Sequence, residues 1–97
     1  SMEENVIKEL DTLKEMLNNW KRGFLTWVSP DGDNEYVLLE FREEIDAQLY
    51  PYVTRLLETQ YLSQSEATEF MDYCYGQVED LRNQLDKVET NESIKEV

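Results

Sequence analysis

The stretch from Ser63 to Val88 reads SQSEATEFMDYCYGQVEDLRNQLDKV and carries the clearest helical pattern in the chain. Ser63 followed three residues later by Glu66 is a capping box, in which each side chain accepts a hydrogen bond from the other residue's backbone N–H. Steps of three and four residues then place apolar side chains in one stripe along a helix: Ala67, Phe70, Cys74, Val78, Leu81, Leu85 and Val88. Such a helix would be roughly 40 Å long, so the rest of the chain must cover its apolar side.

Residues 3–22 predict a first helix with the same spacing. Its stripe consists of Val6, Leu10, Leu13, Leu17 and Trp20. Lys21 and Arg22 lie near its end, as the helix dipole prefers. Gly23 follows at once, where a glycine commonly ends a helix.

Residues 42–62 predict a second helix, whose apolar side consists of Ile45, Leu49, Val53, Leu56 and Leu57. Pro51 lies inside it, and proline lacks a backbone N–H and clashes with the preceding turn. We therefore expect a kink or break near Tyr50. The third helix, residues 63–89, follows almost at once, so it should double back antiparallel on the second. Residues 90–97 are polar and poorly patterned, which predicts a frayed tail.

Residues 24–41 predict a short β-hairpin. FLTWV at 24–28 and YVLLEF at 36–41 are rich in β-branched and aromatic residues, and SPDGDN at 29–34 is a strong turn signal. In strands, Val37, Leu39 and Phe41 would share one face. The alternative is helical, because Phe24 and Trp27 also continue the stripe of the first helix.

The predicted fold class is therefore mainly α, a single domain over residues 1–97. Three helices form an antiparallel arrangement, with a short β-hairpin between the first and the second. The alternative is an all-α three-helix bundle, in which residues 30–34 form a loop between helices.

The charge of the chain limits its partners. With 22 acidic and 9 basic residues, the formal net charge is −13. Phosphate groups repel such a surface, so we expect no direct binding to nucleic acid and none to anionic membranes. The sequence contains no histidine, which excludes Ser–His and Cys–His nucleophile pairs.

Cys74 is the only cysteine and falls within the apolar stripe, which is typical of a core residue. A single cysteine cannot form a disulfide within the chain, which fits a reducing compartment. We therefore expect a cytoplasmic protein. No run approaches the roughly 18 apolar residues that a membrane span needs.

Two pairs of carboxylates are the only candidates for catalysis: Glu40 with Glu43, and Glu69 with Asp72. On helices, each pair would lie on one face and could share a Mg²⁺ ion. The spacing resembles the ExxE…ExxD arrangement of the all-α MazG-type nucleotide pyrophosphohydrolases, over two tetrapeptides. The resemblance implies a Mg²⁺-dependent hydrolase as the alternative function. The competing interpretation is a solvated acidic face, since such pairs arise by chance among 22 acids.

Residues 31–35, DGDNE, have the oxygen-bearing side chains of a calcium loop but not the twelve-residue spacing of an EF-hand. The leading interpretation therefore assigns no catalytic residue, no metal ligand and no cofactor.

Surplus aromatic residues predict contacts with a partner, because tyrosine and tryptophan exposed among acids are typical anchors of protein interfaces. The candidates are Trp27, Tyr36, Tyr50, Tyr52, Tyr73 and Tyr75. In the alternative, these rings close grooves between helices and leave their hydroxyls in water. The leading hypothesis is a small, acidic, soluble interaction module, a regulator or adaptor without catalysis, that binds another, basic protein. One version of it imitates the charge of nucleic acid.

Assembly into a homodimer is the last expectation. Ile7 and Met16 add apolar surface beside an already complete stripe. A hairpin would also leave two edges with unpaired backbone groups. Two-fold pairing would bury both features.

Overall fold

The computed structural model describes the backbone of residues 3–96 and the side chains of residues 3–89. The helices are α1 (Glu4–Leu25), α2 (Glu35–Glu44), a π-helical segment (Ile45–Leu49), α3 (Tyr50–Glu58) and α4 (Gln64–Glu96). Since α2, the π-helical segment and α3 follow one another without a gap, they form one helix, called the middle helix below. Over residues 3–96 the chain is thus mainly α, as predicted, with three helices and no strand.

Side-chain contacts fix the relative directions of the helices. Lys14 lies over the ring of Tyr73, and Lys21 further along α1 pairs with Asp80 further along α4, so these two helices are parallel. The middle helix is antiparallel to α4, because Glu35 contacts Arg82 whereas Asp46 contacts the earlier Tyr75. The result is an up–down–up bundle of 56 × 20 × 19 Å.

The predicted β-hairpin is wrong. Val37 and Phe41 are 0% exposed and Leu38 is 4% exposed, whereas Leu39 is 58% exposed. A strand would turn residues 37, 39 and 41 to the same side, so this burial has the period of a helix. Two strands alone would be marginal in water. As a helix, the same residues bury their apolar side against both α1 and α4.

Helix α1 runs to Leu25, past the predicted end at Arg22. A glycine inside a helix costs about 1 kcal/mol relative to alanine. The extension through Gly23 offsets that cost because it brings Phe24 onto the middle helix, where its ring centre lies 5.6 Å from that of Phe41. Backbone N–H groups of residues 26–28 then bond three residues back and tighten the last turn.

Residues 29–34 form a turn, as predicted, but this turn connects two helices instead of two strands. The Gly32 N–H donates to the Ser29 carbonyl at 3.4 Å, across a turn that contains Pro30. The Asn34 side chain closes the loop, since its Oδ1 accepts from the Ser29 N–H at 3.0 Å and its Nδ2 donates to the Ser29 carbonyl at 2.7 Å. Asp33 accepts a bond from the Glu35 N–H at 3.1 Å and starts α2.

The π-helical segment lies immediately before Pro51, near the predicted kink at Tyr50. The Tyr50 N–H bonds to the carbonyl of Ile45, five residues back. This wider turn accommodates a proline, which has no N–H to donate and would crowd the carbonyl of Ala47. The helix therefore continues through Pro51 instead of breaking.

The connection between α3 and α4 contains two capping motifs. Gln60 has a φ of 66°. The N–H groups of Gln60 and Tyr61 donate to the carbonyls of Leu57 and Leu56, which is the Schellman arrangement at the end of α3.

At the start of α4, the predicted capping box of Ser63 and Glu66 is present. The Ser63 Oγ accepts from the Glu66 N–H at 3.1 Å, and the Glu66 carboxylate accepts from the Ser63 N–H at 2.8 Å.

The end of α4 lies at Glu96, beyond the predicted end at residue 89. The backbone of residues 90–96, predicted as a frayed tail, thus continues the helix. Val97 and the side chains of residues 90–96 lie outside the described part of the chain.

A single core runs along the axis of the bundle, and all three helices contribute to it. Its seven largest side chains without exposed surface are Phe41, Leu17, Ile45, Leu49, Leu81, Val37 and Cys74. The predicted stripes of α1 and α4 supply their share of this core. The middle helix supplies the part that the hairpin prediction had placed on strands.

Candidate partner-binding surface

The structure divides the six predicted contact residues into two groups. Trp27, Tyr36 and Tyr50 are 58%, 50% and 55% exposed. Tyr52, Tyr73 and Tyr75 are half-buried. The first group has the exposure that a partner-binding residue needs, whereas each member of the second group makes polar contacts within the chain.

Tyr73 lies between α4 and α1. Its hydroxyl accepts a hydrogen bond from the Asn18 Nδ2 at 2.9 Å. The Lys14 ammonium lies over its ring, 4.7 Å from the ring centre. These contacts fix the position of the ring at the groove between the two helices.

Tyr75 occupies the equivalent groove on the other side of α4, against the middle helix. Its hydroxyl donates to the Asp46 carboxylate, and the Arg42 guanidinium lies 4.6 Å from its ring centre. Burial, and then the bond to Asp46, raise the pKa of Tyr75 to about 12. In the same way, burial and then the charge of Glu9 raise the pKa of Tyr52.

An open groove lies between the end of α1 and the middle helix, and we call it the aromatic groove. It has a volume of about 420 Å³ and is lined by Asn19, Trp20, Gly23, Phe24, Thr26, Trp27 and Glu44. The rings of Phe24 and Trp27 meet edge to face, with centres 5.4 Å apart. Gly23 carries no side chain, and no other atom fills the space beside it, so the groove stays open at this position.

Sequence reasoning missed most members of this groove. The sequence patterns place Trp20 in a core stripe, Phe24 in a strand and Gly23 at a helix end. Glu44 has no distinguishing pattern, because it is one of 22 acids. The helical alternative for residues 24–27 places Trp20, Phe24 and Trp27 on one side at steps of four and three, and this is the arrangement that the structure has.

A second exposed feature is the outer face of α2. Tyr36 and Leu39 are both at least half exposed, and Glu40 and Glu43 are exposed beside them in sequence. With about 3.6 residues per turn, these four positions lie on the side of the helix away from the core. Apolar and acidic side chains are therefore interspersed on this face.

Most basic side chains of the described part are engaged within the chain. Lys8, Lys21 and Arg82 pair with carboxylates, and Lys14 and Arg42 lie over tyrosine rings. Glu4, Glu35, Glu79 and Asp80 are the carboxylates that pair with Lys8, Lys21 and Arg82. The surplus of carboxylates thus remains at the surface, where it attracts cations.

The four carboxylates of the hydrolase alternative do not assemble. Glu40, Glu43, Glu69 and Asp72 are all exposed, and no three acidic or thiol side chains among the described residues are placed to hold a metal ion. In the loop resembling a calcium site, Asp31, Asp33 and Asn34 use side-chain oxygens in local hydrogen bonds.

Cys74 lies in the core with no exposed surface. Burial raises the pKa of its thiol to about 12. The folded chain therefore holds it as the unreactive thiol at neutral pH.

The described helices include none with the length and apolar character needed to cross a membrane. Comparison of the chain with protein-family models, with curated proteins and with solved structures finds no significant match.

Proposed function

We propose that this protein is a small, acidic interaction module without catalysis, which binds another, basic protein and acts as a regulator or adaptor. The observation that supports the proposal best is the exposure of Trp27, Tyr36 and Tyr50 beside a surplus of carboxylates. Large aromatic side chains give up the most apolar surface on binding, and interface hot spots are enriched in them. The carboxylates would select a partner of opposite charge and speed its approach.

The energy available at one such residue is substantial. A tryptophan buries roughly 150–250 Å², and Trp27 leaves more than half of its surface accessible. Covering about 120 Å² of apolar surface contributes about 3 kcal/mol at ~25 cal/mol per Å². A partner that covers Trp27 would therefore gain a hot-spot contact before any ion pair is counted.

Affinity capture from a lysate of the native host tests the proposal. The chain would be immobilised as wild type, as the triple variant Trp27→Ala/Tyr36→Ala/Tyr50→Ala, and as the control Tyr61→Ala, which removes an equally exposed ring. We expect a basic protein that is recovered by the wild type and the control, lost with the triple variant, and released at high salt. Equal recoveries on all three baits would refute the proposal.

The version in which the protein imitates nucleic acid makes a separate prediction. The net charge of −13 is spread over a length of 56 Å. This is about one charge per 4 Å, whereas duplex DNA carries about one per ~1.7 Å. Imitation would therefore depend on the local arrangement of carboxylates more than on their number. If the partner is a nucleic-acid-binding protein, duplex DNA should displace it from the immobilised chain.

The homodimer and the cytoplasmic location stay predictions. Over residues 3–96 there are no strand edges to pair, and Met16 is half-buried, but Ile7 and Leu39 remain exposed. Apolar pairing between two acidic chains should strengthen as salt screens their repulsion. Light scattering across a salt series measures this, and a constant mass of 11.6 kDa would contradict it.

A further inference from the structure

We propose that the aromatic groove binds an arginine side chain on a basic, amphipathic segment of the partner, between the ring of Trp27 and the carboxylate of Glu44. This inference rests on the proposed function and deepens it, because it names the site and the chemistry of the ligand. The two side chains line the same groove, Trp27 from just beyond the end of α1 and Glu44 from α2.

The aromatic wall is fixed before any ligand arrives. Phe41 has no exposed surface, Phe24 packs on it with ring centres 5.6 Å apart, and Trp27 packs on Phe24 at 5.4 Å with planes at 75°. Trp27 is thus connected to the core through Phe24, while more than half of its own surface is exposed to solvent. A ring held in this way gives up little rotational freedom when a cation stacks on it.

Glu44 supplies the groove with a negative charge. Glu44 is half-buried and, among the described residues, takes part in no ion pair and no side-chain hydrogen bond. Glu40 lies one turn earlier on the same side of α2. Arg22 donates from its guanidinium to Asn19, a lining residue of the groove, so one basic side chain of this chain faces the two carboxylates.

Arginine fits these walls better than lysine. A guanidinium is planar, so it can stack on an indole face and donate two parallel bonds to a carboxylate at the same time. The ammonium group of lysine is more strongly hydrated, and it is not planar. It therefore cannot stack on the indole ring while it donates two parallel bonds to the carboxylate. The apolar floor of Trp20 and Phe24 would receive an aliphatic residue of the same segment.

Three synthetic peptides test the inference directly. Each has twelve residues of alanine, leucine and lysine with helical spacing, acetylated and amidated, and they differ only in a central arginine, lysine or citrulline. Trp20 and Trp27 are the only tryptophans in the chain and both line the groove, so their fluorescence reports its occupancy. We expect the arginine peptide to bind about tenfold more tightly than the citrulline peptide, which has the same shape without the charge.

Matched charge variants locate the effect. Glu44→Gln should weaken binding of the arginine peptide about tenfold and abolish its advantage over citrulline, whereas Glu58→Gln, an exposed acid of α3, should change it less than about twofold. Trp27→Leu, followed by calorimetry, should weaken binding to a similar degree as Glu44→Gln. Equal affinities of the arginine and citrulline peptides, or equal effects of the two Glu→Gln changes, would overturn the inference.

The failure of this inference is distinguishable from failure of the proposed function. If the captured partner depends on Tyr36 and Tyr50 but is retained by Glu44→Gln and Trp27→Leu, the module binds a partner and the groove is not its arginine site. If the partner is lost with Glu44→Gln and with Trp27→Leu but not with Glu58→Gln, the groove is the site.

Discussion

The Asn34 side chain is buried and closes the loop between α1 and α2, so its replacement by aspartate gives a sharp test of the fold. In the wild type, Nδ2 donates to the Ser29 carbonyl at 2.7 Å, to the Glu89 carboxylate at 3.1 Å and to the Gly32 carbonyl at a longer 3.5 Å. The Asn34→Asp variant has the same shape, but an ionised oxygen would face these acceptors. Only the bond from the Ser29 N–H, at 3.0 Å, would survive.

The expected magnitude follows from the two shorter of the lost donations, to Ser29 and Glu89. Leaving a buried acceptor without its donor costs about 1–3 kcal/mol, and the second contact becomes a repulsion between like charges. We therefore expect the free energy of unfolding to fall by about 3 kcal/mol at pH 7. A domain of this size has roughly 5–15 kcal/mol in total, so the variant should still fold.

The effect should depend on pH with a definite sign. Protonation restores a donor, so the folded state raises the pKa of the new carboxyl above its unfolded value of about 3.9. One restored donor replaces only one of the lost bonds, so the part of the stability that it recovers is present below this value and is lost as pH rises through the folded pKa.

Urea unfolding followed by circular dichroism at several pH values between about 3.5 and 7.5 measures both the loss of stability and its pH dependence against the wild type. Asn83→Asp, an exposed position on α4, controls for one added negative charge, and Asn34→Ala controls for loss of the bonds without a charge. Wild-type stability of Asn34→Asp at pH 7, or a loss that does not change with pH, would refute the loop closure described here.

Three further outcomes are expected. Gln60 has a φ of 66°, so Gln60→Gly should raise the free energy of unfolding by about 1 kcal/mol. Glu58→Gly in the last turn of α3 should lower it, and urea midpoints will show whether the two changes have opposite signs. The Lys21 side chain is 11% exposed and bonds a carboxylate at 2.6 Å, whereas Lys8 forms a surface pair at 3.8 Å. Lys21→Met should therefore cost about 1 kcal/mol and Lys8→Met almost nothing; equal costs in thermal melts would contradict the assignment. The buried Cys74 thiol has its pKa raised to about 12. It should react with a disulfide reagent at pH 8 about a hundredfold more slowly in the folded chain than in urea, and equal rates would show that the core is open.

Sequence reasoning predicted the local signals of this fold well. The capping box at Ser63 and Glu66 needs only residues three apart, and it is present with both bonds. The apolar stripe of α4 is buried from Ala67 to Leu85, because a helix of that length places every third or fourth residue on one side. The turn at residues 29–34 was also recognised, since proline, aspartate and glycine limit the backbone locally.

What the turn connects could not be read from local composition. Residues 36–41 have the composition of a strand, and only the packing of Val37, Leu38 and Phe41 between α1 and α4 makes a helix the more favourable choice. Strand preference spans only about 1 kcal/mol, less than the burial of one such side chain. The hairpin prediction failed because it weighed the smaller of these two effects.

At the candidate site, too, the sequence predicts the general character of the surface, and tertiary structure decides which residues form it. The sequence by itself determined that exposed aromatic residues would lie among surplus acids, because so small a core cannot hold all of them. Which rings stay in solvent was decided by tertiary structure. Tyr73 and Tyr75 are tied down by hydrogen bonds to α1 and to the middle helix, and Trp27 is left open beside Glu44. The partners in each of these pairs are far apart in the chain, so no local pattern encodes them, and they exist only because the middle helix packs antiparallel between the two parallel helices.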